Sequence, residues 1–311
     1  MAISIGSAVG AGFNLIGRRP LSVIAWGFFL YLSIAVLLAI GALILGGGVL
    51  GRVLQSSATA DPSLAGQAAL GWLASFWPAL LVVIAGALVS GAMVQGAVYR
   101  SILTPDAKTF FSLRFGAQER ALVLLDVTVL LALILAYLVA AAIVAGGVYG
   151  LTRIHGWVGV LLAVIFVICS VLAFMWVALR FALAAPMTFA EGRVRFFGSW
   201  ALTRGHGWSL FGLAWLMLLV LLGVGIGYAI VSNIVSALFA VGVFASIAAN
   251  AAAAHDPHFF SDHGAALLAA LTPSFIFGAV FQGLVQAIAH GPWIEAYRQL
   301  TGAPDVAQTF S

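Results

Sequence analysis

The residues of this chain able to do chemistry are few, and most lie inside or beside long apolar runs. Asp126 is the one carboxylate inside an unambiguous apolar stretch, about two helical turns past its start at ~1.5 Å per residue. A carboxylate at membrane depth is costly and is a proton- or cation-site candidate by default. Near a helix start it has a structural alternative: to snorkel to the edge, pair with Arg120 or another arginine there, and profit from the helix dipole. Gln95, Gln282 and Gln286 add amides at the same depth, the last two sharing a face at i and i+4. Such amides either bond helices to one another or line a polar cavity. His290 ends its apolar run just before Gly291 and Pro292, where capping and titration are both open to it.

A second group, His255, Asp256, His258, Asp262 and His263, has the donor types of a zinc site. The spacing matches no zinc motif, HExxH is absent, and Pro257 interrupts the helix that would align His255 with His258. No metal and no cofactor are expected; a solvated, titratable loop accounts for these residues. The run GVGIG at 223–227 has no strand before it and reads as close helix packing instead of a dinucleotide turn. No nucleophile motif, phosphate-loop lysine or paired carboxylates occur. The expectation is a protein that is not an enzyme.

The third group is basic and aromatic. Between Arg180 and Trp208 the chain carries Arg180, Arg193, Arg195 and Arg204 with Trp200 and Trp208, flanked on both sides by long apolar runs. That composition suits a membrane-surface connector whose arginines meet anionic headgroups while the indoles anchor at the interface. The same arginines could equally do no more than fix topology.

These groups are positioned by elements that the composition defines. Of 311 residues, 64% are hydrophobic and 7% charged, and mean hydropathy is +1.17. A soluble domain is about 45–50% apolar and about 25% charged, so the solvent for most of this chain is lipid. The net charge of +4 is spread beside apolar runs and forms no separate basic domain, which points to anionic lipid and away from nucleic acid. The single cysteine, Cys169, excludes an intramolecular disulfide. The first apolar run is too long for the core of a cleaved signal and is read as an anchored helix.

The expected fold is all-α, a polytopic transmembrane helical bundle forming one integral membrane domain over 1–311. Residues 1–19, with Ile5, Val9, Phe13 and Ile16 at helical spacing, read as an interfacial helix ending in Arg18 and Arg19. Six spans follow at about 21–50, 72–98, 121–149, 157–179, 208–231 and 265–289, each of the ~20 residues or more that crossing needs. Interfacial helices are expected before spans 1, 3 and 5. Residues 232–254, interrupted by Asn233, Ser236, Ser246 and Asn250, read as a non-spanning or re-entrant helix or an extension of the fifth span, with a seventh span as the alternative.

With six spans and a cytoplasmic amino terminus, eleven Lys and Arg side chains fall on the cytoplasmic side: Arg18, Arg19, Arg100, Lys108, Arg114, Arg120, Arg180, Arg193, Arg195, Arg204 and Arg298. Arg52 and Arg153 alone fall opposite. That asymmetry predicts both termini inside. A seventh span would move Arg298 outside.

A repeat runs through the same edges. FNLIGR at 13–18, FFSLR at 110–114 and SWALTR at 199–204 each precede an outgoing span, while YR at 99–100, LR at 179–180 and YR at 297–298 close the returning ones. Three helical hairpins, each entered by an interfacial helix, would produce this pattern; so would ordinary bilayer-edge composition.

The run EGRVRFFGSWALTRG at 191–205, preceded by Arg180 and Pro186, resembles the connector of the bacterial membrane domain found fused to some glycerophosphodiester phosphodiesterases, and of its stand-alone relatives. Glu191, Ser199, Trp200, Leu202, Thr203 and Gly205 carry the resemblance, and the closing YRQLTG is similar too. The sequence has no phosphodiesterase domain, so hydrolase activity does not transfer. The resemblance implies a six-helix inner-membrane module linked to the envelope or its lipids. Two functions follow as expectations: a non-enzymatic supporting role with anionic lipid as partner, or a transporter or flippase for a small amphipathic molecule using Asp126, Gln95, Gln282 and Gln286.

Overall fold

The structure, a computed structural model, describes residues 3–45, 62–104, 110–153, 157–239 and 259–302. Among these it is all-α, without strands. The helices are α1 (Ile5–Arg18), α2 (Pro20–Leu45), α3 (Pro62–Leu103), α4 (Ala117–Thr152), α5 (Trp157–Arg180), α6 (Ala184–Glu191), α7 (Gly198–Leu202), α8 (Gly207–Phe239) and α9 (Phe259–Thr301). Six of them, α2, α3, α4, α5, α8 and α9, are long and apolar enough to cross a membrane. The chain is a multi-pass membrane protein. The outward-facing residues fit that solvent: Leu131, Leu135 and Leu138 of α4 are all exposed, as lipid-facing leucines must be.

Several helices run past the apolar limits read from sequence. The second begins at Pro62 instead of about 72, and the sixth covers Phe259–Thr301. Hydrogen-bonded turns continue while any helix-forming residue is available, whereas the apolar run marks only the part in hydrocarbon. Residues 232–239 prolong α8, in keeping with an extension of the fifth span, and 240–258 lie outside the described residues. Before α4 the described residues hold one 3-10 turn, Phe110–Ser112, and before α8 they hold the short helices α6 and α7.

The chain divides into two compact units. One unit comprises the described residues within 21–94 and 225–285. Its core forms where α2 meets α9: a Cβ on Gly27 would overlap the Ala279 carbonyl, and one on Gly283 would overlap that of Val23. Only glycine permits so close a backbone approach, the usual device of helix pairs in lipid. Around the crossing, Tyr31 and Phe275 meet edge to face at 5.4 Å, and Tyr228 stacks on Phe281 at 4.0 Å. An apolar groove of about 450 Å³ between α2 and α3 is lined by Phe29, Leu37, Gly86 and Met93 among others.

The other unit comprises the described residues within 1–20, 95–224 and 286–311. Here α1 lies on the end of α9. Its buried stripe is Ala8, Gly12 and Leu15, and a Cβ on Gly12 would come within 2.8 Å of the Ala287 carbonyl. Phe13, read from spacing as part of the apolar face, is 46% exposed. The small residues set the docking face because they admit the closer approach. Gln299 fixes the register: its Oε1 accepts from the Ser4 N–H at 2.8 Å, and its Nε2 donates to Ser7 Oγ at 2.9 Å. Ala8, Leu183, Leu210, Leu213, Ile288 and Ala296 form the adjoining apolar core.

Candidate functional site

Both polar groups of interest in the second unit grow from arginines that close returning spans. Arg100 ends α3 with its side chain buried, and it forms an ion pair with Glu119, which is fully buried in the first turn of α4. Arg100 Nη1 also donates to the Ser112 carbonyl. Glu119 has a further task, accepting the Gly116 N–H at 2.9 Å and so capping α4. The turn held in this way is strained: Phe111 and Ser112 adopt φ of 48° and 57°, a left-handed region that a bulky residue rarely enters.

Arg180 ends α5 and repeats the device. Its Nη1 donates to the Thr203 carbonyl at 2.8 Å. In return its own carbonyl accepts Ser199 Oγ at 2.7 Å and Thr203 Oγ1 at 3.4 Å. Ser199 and Thr203 are fully buried for this reason. The guanidinium sits between Trp176 and Trp200, 5.2 and 5.6 Å from their ring centroids. Twice, therefore, the arginine closing a returning span holds a backbone carbonyl of the re-entry run that follows, FFSLR in one case and SWALTR in the other. The equivalent use of matching positions favours the repeated-hairpin reading over edge composition alone.

The clamp around Arg180 shapes the connector. Thr188 Oγ1 accepts the Arg195 N–H at 3.1 Å, and α6 ends at Gly192 with φ 67°, the left-handed cap that glycine supplies without strain. Phe181 stacks on Phe196 at 4.4 Å. What is left outside is aromatic and basic. Phe197 and Trp208 are 78% and 79% exposed, Trp200 is 40% exposed, and Arg204 is exposed. Arg193 and Arg195 are also outside, sharing the Glu191 carboxylate at 3.1 and 2.6 Å. Of the four arginines assigned to headgroups from sequence, Arg180 is turned inward and three face out.

Deeper in the same unit, Gln95 Nε2 donates to Tyr99 Oη at 3.0 Å, and both residues are buried. The Tyr99 ring meets Phe189 at 5.6 Å and the edge of His290 at 6.1 Å. Among the described residues Asp126 makes no hydrogen bond or ion pair, so the pairing with Arg120 open to it from sequence does not form. Gln95 is thus held by Tyr99, beside Phe189 and His290. Gln286 belongs to this unit and Gln282 to the other.

Among the described residues no group of three metal-binding side chains occurs. His255 and His258 lie outside the described residues, and His263 falls in the first turns of α9. Glu119, Tyr99 and Ser112 carry no motif. Their one sequence signal is a carboxylate in the first turn of a span that follows an arginine in the last turn of the one before.

The fold and these sites define a class, a helical multi-pass membrane protein with clamped, basic connectors. No family model, no curated protein and no solved structure matches the chain.

Proposed function

We propose that the chain is a non-enzymatic protein of the bacterial inner membrane that supports an envelope- or lipid-related process by holding anionic headgroups on its connector. The eleven-to-two distribution of basic residues supports a connector at the cytoplasmic surface, with residues 1 and 311 on the same side. The observation that carries the reading is the exposed platform itself. Phe197 and Trp208 stand out of the fold beside Arg193, Arg195 and Arg204. Large exposed aromatics are anomalous against water and ordinary at the headgroup level. Basic residues at an anionic membrane surface contribute about 1 kcal/mol each.

Arg180, inward and held by Trp176 and Trp200, serves to build the platform. Glu191 offsets part of the charge of Arg193 and Arg195 and keeps them together. The likeness of 191–205 to the stand-alone membrane modules belongs to the same proposal, with Ser199 and Thr203 as the residues that fold the connector.

The test uses a bimane fluorophore attached through Phe197→Cys in a Cys169→Ser background, in nanodiscs. Brominated phosphatidylglycerol is expected to quench it several-fold more than brominated phosphatidylcholine, and Arg193→Gln, Arg195→Gln and Arg204→Gln together to abolish the difference. Equal quenching by the two lipids, or a difference indifferent to the arginines, overturns the reading.

A further inference from the structure

Glu191 is an acid set in the middle of a basic surface, and its surroundings hold it there. It is the last residue of α6, where the negative end of the helix dipole disfavours a carboxylate. Two guanidiniums compensate: Arg193 Nε and Arg195 Nε donate to the same oxygen, Glu191 Oε2, at 3.1 and 2.6 Å. The backbone that carries them is built for this meeting. Gly192 turns the chain at φ 67°, and the hydroxyl of the buried Thr188 accepts the Arg195 N–H at 3.1 Å. The next residue, Phe196, is stacked on Phe181.

A guanidinium presents five N–H donors in a rigid planar fork, and the bond to Glu191 uses the one on Nε. The Nη groups belong to side chains that are 68% exposed in Arg193 and 40% exposed in Arg195, against 27% for Glu191. One carboxylate oxygen therefore ties both forks at a single point while the rest of each side chain reaches the surface. A free arginine loses much rotamer freedom when it closes on a ligand; a pair already tied has lost part of it beforehand. Phosphate suits such a pair, because its oxygens accept from guanidinium forks two at a time.

We propose that Glu191 is the positioning residue of a phosphate-reading pair, holding Arg193 and Arg195 so that both meet one lipid headgroup phosphate. The inference rests on the headgroup reading above and adds to it the group recognised and the residue that sets it. It also departs from what charge alone implies. Removing an acid from a basic surface raises the net charge by one, and attraction alone would then strengthen anion binding equally for every neutral replacement.

The experiment compares replacements of equal charge. Glu191→Gln keeps an oxygen that can accept from both Nε groups, and Glu191→Ala does not. Dioleoylphosphatidylglycerol is titrated into the protein in detergent micelles, and bound lipid is counted by native mass spectrometry. The Glu191→Gln protein is expected to bind about threefold or more tightly than Glu191→Ala, the scale of one exposed charged pair. In an Arg193→Gln, Arg195→Gln background the two should bind alike, because the residue acts through those arginines. Glu191→Met, as long as glutamine but without the acceptor, should match Glu191→Ala and replaces it if the alanine variant fails to fold. Inorganic phosphate, added at constant ionic strength, should leave the lipid bound. Equal binding by the glutamine, alanine and methionine variants overturns the proposal while the headgroup reading stands. Two further results also overturn it: a difference that persists without the two arginines, and displacement of the lipid by inorganic phosphate. A parent protein whose lipid binding ignores the arginines overturns both readings.

Discussion

Replacing Glu119 by Gln should be among the most damaging single changes in this protein, because of what it leaves behind. The Arg100 side chain is 3% exposed and that of Glu119 is 0% exposed. Removing one partner of such a buried pair leaves the other charge uncompensated, at about 3–5 kcal/mol. The carboxylate also accepts the Gly116 N–H that opens α4; glutamine can still accept it, so this bond adds at most about 1 kcal/mol. A loss of about 3 kcal/mol or more follows, by these figures. The assay is equilibrium unfolding in mixed micelles, followed by tryptophan emission. Arg100→Met combined with Glu119→Leu supplies the control, because removing both charges removes the penalty; it should recover most of the loss. A Glu119→Gln variant within about 0.5 kcal/mol of the parent would refute the argument. So would a double variant no better than the worse of its two singles.

The other expectations test separate parts of the structure by the same unfolding measurement. Gly27→Ala and Gly283→Ala each place a methyl group on a facing carbonyl, and each should cost about 1–3 kcal/mol, with the pair less than additive because one crossing accommodates both. Ser112→Gly relieves the left-handed backbone at φ 57° and should be neutral or stabilising by up to about 1 kcal/mol; a clear loss would show that the serine side chain matters more than its backbone. Ser199→Ala removes the 2.7 Å bond to the Arg180 carbonyl at a cost of about 1–3 kcal/mol, and should raise protease cleavage within 192–206. Unchanged cleavage would mean that the clamp does not hold the connector.

The six spans were legible because about 20 apolar residues in a row have one stable environment; a described helix lies at each, with residues 46–50 of the first span outside the described residues. The helix ends were less so, since Pro62–Leu103 outruns its apolar core. The single arginine signal proved to have two uses that composition does not separate. Arg100 and Arg180 face inward to a carboxylate or a carbonyl, whereas Arg193, Arg195 and Arg204 face outward. Which use an arginine takes depends on what the following segment presents to it twelve or more residues later, and spacing carries no record of that. Glu119 went unnoticed for the same reason. Asp126 was legible as a candidate from depth alone, whereas the bond between Gln95 and Tyr99 one turn apart on the same helix was not. In α1 the docking face follows Gly12, whose contribution is the absence of a side chain, a signal that hydrophobic periodicity discounts.

The claim on which the functional reading rests is that the connector holds anionic headgroups. Its most direct test is native mass spectrometry of the protein released from mild detergent, with and without Arg193→Gln, Arg195→Gln and Arg204→Gln. The account predicts selective retention of anionic lipids by the parent and its loss in the triple variant, with zwitterionic lipid unaffected. Retention that is absent in the parent, or the same in both proteins, would contradict it and leave those arginines as signals of topology.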